Sequence, residues 1–326
     1  MAVKLGVFFR QYKSYIFLAL IGLLTLKVII PQLDDFVDSL KSLKDANLYW
    51  IAAGIIIYFT GIITLAVQVV ALAFKPLSFG LTYKVEMAGQ FVSKLLPSFV
   101  GVLTLNVYYL IKKSHTPTQA ATVMTANALT SAVAYATLII IGLTQSSVSF
   151  DNLDGSVTIP TNLIFLILIL LAGLAYFLYR SIDLRQKIGK MWADIKANIK
   201  AYKQKPASLA ISVLCNGLGS SANVFVIFAS AHAIGVEVSF AQALIAYTFG
   251  NIAMSLIPTP GGIGAAEAGI YSGLVFTGIN GADAMTITLL YRLISYWLPI
   301  IPGYMFFWGL RKNVLADFSF SKRYDT

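Results

Sequence analysis

The chain has 326 residues, of which 58% are hydrophobic and only 12% are charged. A soluble domain carries about 25% charged residues, so this composition excludes a soluble enzyme and a disordered chain and indicates a helical membrane protein. The net charge of +10 is attributed to basic cytoplasmic loops and not to nucleic-acid binding.

The single cysteine, Cys215, excludes an intrachain disulfide and a thiolate metal cluster. The two histidines, His115 and His232, are interpreted as loop residues at the membrane surface.

Apolar runs of about 20 residues recur along the chain, and each is long enough to cross a bilayer. Six of them form uninterrupted predicted spans, at residues 14–30, 47–74, 118–144, 161–179, 209–231 and 284–310. Two further apolar regions, residues 85–111 and 240–276, are broken, the first at Pro97 and Gly101 and the second at Pro258-Thr-Pro-Gly-Gly262. Because proline and glycine interrupt helices, each broken region is predicted to be a pair of short helices.

The distribution of basic residues favours one topology. If both broken regions return to the side from which they entered, 19 of the 24 Lys and Arg residues lie on the cytoplasmic side and only Lys41 and Lys44 lie outside. The alternative, in which Pro and Gly only kink ordinary spans, disturbs this distribution. We therefore predict six transmembrane helices plus two re-entrant helical hairpins. The protein is then a multi-pass protein of the cytoplasmic (inner) membrane with both termini in the cytoplasm.

The same order of elements, namely span, span, hairpin and span, occurs twice in opposite orientations. The first half covers residues 1–146 and the second covers residues 160–326, with a basic cytoplasmic linker helix at residues 180–206. The similar motifs Leu96-Pro-Ser-Phe-Val-Gly101 and Ile257-Pro-Thr-Pro-Gly-Gly262 occupy equivalent places. The sequence thus predicts a single all-α transmembrane domain over residues 1–326, built from two inverted-topology repeats. In transporters of this kind the substrate binds at the broken helices.

Charged residues within apolar segments are costly and mark functional positions. Lys94 lies at the end of the first half-helix and Arg292 lies well inside the last span, so both are candidates to bind an anionic group. Glu267 follows the second break, and we predict that it pairs with Arg292 when no substrate is bound. Helices that begin after Pro97 and Gly262 add positive dipole ends, which suit a phosphate or a carboxylate. An ion pair that only fixes the second hairpin is the alternative for Glu267 and Arg292.

The remaining candidate substrate-binding residues lie at or beside the two breaks. Pro258, Gly261 and Gly264 are predicted to form a tight non-helical turn that lets the backbone approach the substrate. Gly101 and Asn106 lie on the returning half of the first hairpin.

The sequence contains no nucleophile elbow, no P-loop lysine and no His-Glu-x-x-His motif, so we expect no catalytic residue, no metal and no cofactor.

Two strings in the second half are specific. At Pro258-Thr-Pro-Gly-Gly-Ile-Gly-Ala-Ala-Glu267 and Tyr291-Arg-Leu-Ile-Ser-Tyr-Trp-Leu-Pro299, the sequence resembles the lysylphosphatidylglycerol synthase transmembrane-region family, also called the flippase-like domain family. Leu95-Leu-Pro-Ser-Phe-Val-Gly101 is similar to its first-half motif, so the resemblance covers nearly the whole chain. Many relatives have an arginine at the position of Asn106 and an acidic residue near Leu103, and this chain has neither.

The resemblance implies a bacterial or archaeal membrane protein that is linked to lipid translocation. We expect a lipid translocase for a phospholipid or polyprenyl-phosphate carrier, that is, a lipid with an anionic or zwitterionic phosphate headgroup. We expect no enzyme activity and no soluble aminoacyl-transferase domain. The alternatives are a non-transporting partner of an envelope glycosyltransferase or synthase, and a secondary transporter of a small anion. A lateral opening favours the lipid, and a sealed cavity open only to water favours the solute. No nucleic-acid partner is expected, and an oligomer is compatible with each function.

Overall fold

A computed structural model describes residues 46–96, 100–145, 202–257 and 259–313, together with Gly189, Ala193 and Lys200. These residues form helices joined by turns. The predicted spans at residues 14–30 and 161–179, and nearly all of the predicted linker helix at residues 180–206, lie outside the described residues.

The described part of the chain contains nine α-helices, and four helical stretches in it are long and apolar enough to cross a membrane. The helices are α1 (Leu48–Leu72), α2 (Phe79–Leu95), α3 (Val100–Lys112), α4 (Pro117–Gln145), α5 (Pro206–Ala233), α6 (Phe240–Leu256), α7 (Ala265–Phe276), α8 (Gly281–Arg292) and α9 (Ile300–Asn313). A π-helical segment, Leu293–Trp297, joins α8 to α9. The four membrane-length stretches, α1, most of α4, α5 and the continuous run Gly281–Leu310, agree with four of the six predicted spans.

Polar side chains cap several of these helices at their first turn. The Asn47 side chain caps α1, and Asn280 accepts a hydrogen bond at the start of α8. Ser239 and Gln242 form a reciprocal capping box at the start of α6. Because the first N–H groups of a helix have no partner within it, each cap stabilises its helix by about 1 kcal/mol.

Small residues let α1 and α5 approach each other closely. A Cβ atom on Gly61 would lie 3.0 Å from the Ala222 Cβ, and one on Gly219 would lie 3.0 Å from the Thr64 hydroxyl oxygen. In lipid, where no hydrophobic effect drives helices together, such close packing and hydrogen bonds between helices provide the attraction. Of the shorter helices, α2 packs against α1, and α6 and α8 pack against α5.

The first broken region forms the antiparallel helices α2 and α3. Gly101 touches Ser93 near the break, whereas the hydroxyl groups of Thr82 and Tyr109 lie 2.9 Å apart at the far end. A Cβ atom on Gly101 would lie 2.7 Å from the Ser93 backbone, which explains why glycine is required there. At 17 and 13 residues, α2 and α3 are about 25 and 20 Å long, too short for a hydrocarbon core of about 30 Å.

The second broken region forms the antiparallel helices α6 and α7, whose backbones are in contact at two successive turns. A Cβ atom on Gly269 would lie 2.7 Å from the Gly250 Cα, and one on Gly273 would lie 2.6 Å from the Ala246 Cα. Both broken regions are thus helix pairs, as the positions of Pro and Gly predict. Re-entry of the pairs into a membrane and inverted symmetry of the two halves stay predictions.

The two histidines differ from each other in their surroundings. His115 lies in the turn between α3 and α4, as expected, where its Nε2 accepts the Lys75 N–H at 3.2 Å and its Nδ1 lies 3.1 Å from the Leu110 carbonyl. It therefore joins the α1–α2 turn to the α3–α4 turn. His232 lies in the last turn of α5 and not in a loop, stacked at 4.1 Å on Phe228, because the helix continues two residues beyond the predicted end.

Candidate functional site

The two breaks meet at one place in the fold. The Gly261 N–H, in the second break, donates a hydrogen bond to the Leu96 carbonyl in the first, over 3.2 Å. The π-helical segment passes beside both, since Tyr296 approaches Gly261 and Ser295 approaches Lys94. The fold therefore brings together three stretches that are far apart in sequence.

A cavity of about 490 Å³ lies at this junction. Its lining contains two cations, Lys94 and Arg292, and no Asp or Glu side chain of the described residues. The other polar side chains come from α1, α2, α5, α6, α8 and the π-helical segment: Tyr58, Gln90, Ser93, Asn223, Tyr247, Asn251, Ser255, Tyr291 and Ser295. These hydroxyl, amide and cationic groups provide many hydrogen-bonding atoms for a polar ligand group.

Arg292 is buried, with 6% of its surface exposed, and three groups hold it. Its Nε donates to Glu267 Oε1 at 2.6 Å, and its Nη2 donates to the Gly261 carbonyl at 3.3 Å. Its guanidinium carbon lies 4.3 Å from the centre of the Tyr296 ring. The predicted ion pair between Glu267 and Arg292 is confirmed. The arrangement uses the planar fork of arginine, which makes several directed hydrogen bonds at once.

Three glycines in the second break explain how Glu267 reaches this position. Gly261, Gly262 and Gly264 have φ angles of +60°, +71° and +80°, a region that side-chain-bearing residues rarely adopt. The resulting turn is the tight non-helical turn that the motif predicts. It starts α7 so that the Gly264 N–H donates to Glu267 Oε2 at 2.8 Å. The carboxylate thus caps α7 at its positive dipole end while its other oxygen binds Arg292.

Lys94, in the last turn of α2, approaches the same aromatic ring as Arg292. Its Nζ lies 4.8 Å from the Tyr296 ring centre and donates to the Ser295 carbonyl at 3.4 Å. That carbonyl also accepts the Tyr58 hydroxyl at 3.0 Å. It is available because Pro299, four residues later, has no N–H to donate to it in the α-helical register. The proline of the second motif therefore creates an acceptor for the lysine of the first broken region.

The charges at the junction do not balance. Lys94 and Arg292 both lie close to the Tyr296 ring, and among the described residues Glu267 is the carboxylate that forms an ion pair with either cation. Two close cations repel each other, and burial makes that repulsion stronger than in water. An anion bound between them would supply the missing negative charge and additional acceptors.

The predicted substrate-binding residues occupy different places around the cavity. Lys94, Gly261 and Arg292 line it, and Glu267 lies beside it on Arg292. Gly262 and Gly264 shape the turn behind it. Pro97 and Pro258 lie outside the described residues.

The two candidates on α3 lie away from the cavity. Gly101 packs on the backbone of α2, and Asn106 is buried with 3% of its surface exposed. The Asn106 side chain is a hydrogen-bond partner of Glu86 between α2 and α3. The substrate-binding role of Gly101 and Asn106, like that of the other candidates, stays a prediction.

Sequence reasoning missed several residues of this region. Tyr296 and Ser295 lie within the second specific string but had no assigned role, because the ring contact and the free carbonyl depend on tertiary structure. Glu86 and Gln90 were overlooked, although a signal was present. Together with Thr82 and Ser93 they form a polar stripe at helical spacing within an apolar region.

Comparisons with known proteins agree with this architecture. The sequence profile described as the lysylphosphatidylglycerol synthase TM region matches residues 13–303. A UPF0104 membrane protein of Methanothermobacter thermautotrophicus is 35% identical over 74 residues, which is 23% of this chain and 22% of that protein. A UPF0104 membrane protein of Methanocaldococcus jannaschii is 26% identical over 137 residues, which is 40% of this chain and 56% of that protein.

These alignments cover less than two thirds of either relative, so it is the family profile that decides the assignment. The profile spans well over half of the chain and includes both breaks, the cavity cations and the strings around Glu267 and Arg292. The chain belongs to the family described as the lysylphosphatidylglycerol synthase transmembrane region.

Proposed function

We propose that this protein is a lipid translocase of the cytoplasmic membrane, with both termini in the cytoplasm. Its substrate is a lipid with an anionic or zwitterionic phosphate headgroup, which crosses the membrane through the cavity between the two helix pairs. The protein moves the lipid and does no chemistry on it. The family assignment supports a membrane lipid-related function, and the geometry of the cavity supports the more specific one.

The observation that carries the proposal is the unbalanced pair of cations in a polar cavity. The Lys94 Nζ and the Arg292 guanidinium carbon lie 4.8 and 4.3 Å from the centre of the Tyr296 ring, and Glu267 forms an ion pair with the arginine. Ionised groups within a membrane domain are expensive, so they are retained where they bind a partner. A phosphate provides charge for the lysine and two oxygens for a directed arginine contact.

The apolar surface beside the cavity favours a lipid over a water-soluble anion. Met254 and Ser255 line the cavity, and their neighbours Ile252, Leu256 and Ile257 are all more than half exposed. Large exposed apolar side chains of a membrane protein face acyl chains. The headgroup therefore occupies the polar cavity while its chains stay against this adjoining apolar surface.

In this mechanism Arg292 stays bound to Glu267 and shares its remaining donors with the headgroup phosphate. Lys94, a flexible point charge, follows the phosphate as one half of the protein moves against the other. Alternating access about a central site is the movement that broken-helix transporters use. Because Lys94 lies on α2 and Arg292 on α8, in different halves of the chain, that movement changes the distance between the two cations.

The decisive experiment is reconstitution of the full chain into liposomes with lipids labelled on phosphate-containing and on neutral headgroups. We expect the phosphate-containing lipids to move between leaflets and the neutral ones to stay. Lys94→Gln should lower the rate at least about tenfold, the effect of losing one charged hydrogen bond. Lys84→Gln, a loss of an exposed lysine on the same helix, is the matched control and should leave the rate unchanged.

Two outcomes would overturn the proposal. One is equal movement of neutral and phosphate-containing lipids, because the cavity cations would then have no role in selection. The other is transport of a water-soluble anion, such as inorganic phosphate, without lipid movement. That result would identify the protein as a solute transporter.

A further inference from the structure

Glu86 is a buried acid that the proposed translocation path does not use. It lies in the middle of α2 with 2% of its surface exposed, and it is among the most completely buried side chains of the described residues. Its side-chain hydrogen-bond partner is Asn106 on α3. An ionised carboxylate in such a place is costly unless a cation or several donors compensate its charge.

The hydrogen bonds of the partner amide indicate which form of the acid is present. Asn106 is itself 97% buried, and its Oδ1 has no hydrogen-bond partner in the structure. An ionised carboxylate only accepts hydrogen bonds, so it takes the amide N–H and leaves Oδ1 without a donor. The neutral acid carries an O–H group, which is the kind of donor that this oxygen lacks. An acid and an amide can then exchange two hydrogen bonds.

The helices packed against α2 near Glu86 are α1, α3 and α9, and their titratable groups have other partners. Tyr109 of α3 bonds Thr82, and Tyr58 of α1 bonds the Ser295 carbonyl. On α9, the Tyr304 ring packs edge-to-face on the Phe91 ring. The side chains of Arg311 and Lys312 are not among those that the structure describes. The charged groups along α2 and α3 are the exposed Lys84, Lys94 at the cavity and Lys112, which lies over the Tyr108 ring.

A polar stripe connects Glu86 to the cavity. Glu86, Gln90 and Ser93 stand at positions i, i+4 and i+7 of α2, so they share one face. Gln90 and Ser93 both line the cavity. Glu86 is therefore one helical turn, about 6 Å along the axis, from the nearest lining residue on its own helix.

We propose that Glu86 is a proton-binding site that couples lipid translocation to the proton gradient, and that it is protonated in the conformation described. The coupling rests on the proposed function, whereas the protonation of Glu86 does not. When the cavity opens to one side, the proton passes from the acid to water there. When it opens to the other side, Glu86 takes a proton back from water, so no further reactant is required.

The direction of the coupling follows from the charges. A headgroup phosphate at Lys94 places a negative charge near Glu86, which opposes ionisation of the acid. The proton and the anionic headgroup therefore bind together, and by reciprocity protonation of Glu86 strengthens headgroup binding. The lipid should travel in the same direction as the proton.

Infrared difference spectroscopy on the full chain in nanodiscs tests the protonation. We expect the wild-type protein at neutral pH to show a carboxylic-acid C=O band that is lost in Glu86→Gln. The band should stay in Glu237→Gln, which removes an exposed glutamate from the turn before α6. A band that Glu86→Gln leaves intact, or no carboxylic-acid band at neutral pH, would overturn the proposal.

A second variant tests the protonation of Glu86 even if Glu86→Gln does not fold. Asn106→Leu keeps the acid and removes its amide partner, so the C=O band should stay and move to higher frequency. A band that does not move would show that the acid–amide pair is absent, which also contradicts the proposal.

Transport in liposomes with an imposed pH gradient tests the coupling separately. Wild-type and Glu237→Gln protein should move phosphate-containing lipid several-fold faster with the gradient than without it, and Glu86→Gln should show no such acceleration. Equal acceleration in Glu86→Gln refutes the coupling. If no variant moves lipid at all, the proposed function fails, and the infrared result still decides whether Glu86 binds a proton.

Discussion

The two breaks have similar sequence motifs, but the charged residues beside them differ in number and in contacts. The second break is a turn of three glycines with positive φ that places Glu267 against Arg292. The first break supplies Lys94, whose described contacts are a backbone carbonyl and an aromatic ring. The second thus holds a neutralised cation in a fixed frame, and the first presents an uncompensated one. The comparison suggests that the second break shapes the site and the first provides the charge that attracts an anion.

The two helix pairs that adjoin the breaks, α2–α3 and α6–α7, also differ in how closely their helices approach each other. Gly250, Gly269 and Gly273 bring α6 and α7 into backbone contact over successive turns. In the first pair, Gly101 makes such a contact with Ser93 beside the break, but a Cβ atom on Gly89 would meet Val102 at an ordinary 3.4 Å. Close backbone contact along a helix pair leaves little room for sliding. We therefore expect the α6–α7 pair to be the stiffer one and the α2–α3 pair to move during transport.

The largest effect is expected from Gly261→Ala in the second break. The new Cβ would lie 2.6 Å from the Tyr296 ring, and the φ of +60° is unfavourable for alanine by about 1–2 kcal/mol. The turn should shift and separate Gly261 from both Arg292 and Leu96, so lipid movement in liposomes should be lost. Gly80→Ala is the control, since a Cβ there meets nothing within 4 Å. Normal transport by Gly261→Ala would show that the turn does not shape the site.

The two cations should respond differently to an exchange of one for the other. Arg292→Lys keeps the charge but loses the directed contacts to Glu267 and Gly261, so transport should fall by about 10- to 100-fold, the value of one charged hydrogen bond. Lys94→Arg keeps the positive charge, which is the property that we assign to this position, and should lower the rate by less than about tenfold. Transport assays and membrane yield of both variants measure the difference. Equal losses would contradict the division of roles between the breaks.

The stiffness of the two helix pairs can be compared with alanine substitutions. Gly250→Ala would place a Cβ 2.7 Å from the Ile270 side chain, and such overpacking should lower the free energy of unfolding by about 1–3 kcal/mol. Gly89→Ala in the first pair should be tolerated. Thermal unfolding of both variants in the same detergent provides the measurement. A larger loss for Gly89→Ala would reverse the assignment of the stiffer pair.

The smallest effect concerns the ends of the pairs away from the breaks. In the second pair, the Gln242 side chain, which does not titrate, donates a hydrogen bond to the Thr277 carbonyl at 3.1 Å. In the first pair, His115 forms the contacts to Lys75 and Leu110, and burial lowers the pKa of its imidazole. Because the folded state disfavours the protonated form, the stabilisation by His115 is complete above the ordinary histidine pKa. It is lost as the pH falls from there through the lowered pKa of the folded state. His115→Gln should remove that part of the pH dependence of thermal stability, whereas Gln242→Ala should not.

Much of the fold follows from local patterns in the sequence. The apolar runs predicted α1, α4, α5 and the last membrane-length stretch to within a few residues. In lipid, a helix must form all of its backbone hydrogen bonds internally, and the thickness of the bilayer sets the length of its apolar segment. The glycines of the second break predicted its turn, since few other residues adopt positive φ. The ion pair between Glu267 and Arg292 followed from the cost of leaving either charge alone in the membrane.

What the sequence by itself determined was therefore a membrane protein of broken and unbroken helices, with Lys94 and Glu267 beside its breaks and Arg292 inside its last span. Only the tertiary structure decided that Lys94 and Arg292 share one aromatic ring, that Asn106 faces Glu86 and not the cavity, and that the Ser295 carbonyl is free to bind Tyr58 and Lys94. These relations join residues about 20 to more than 200 positions apart. No local periodicity or propensity encodes such contacts, because they depend on how the two helix pairs dock on α1 and α5.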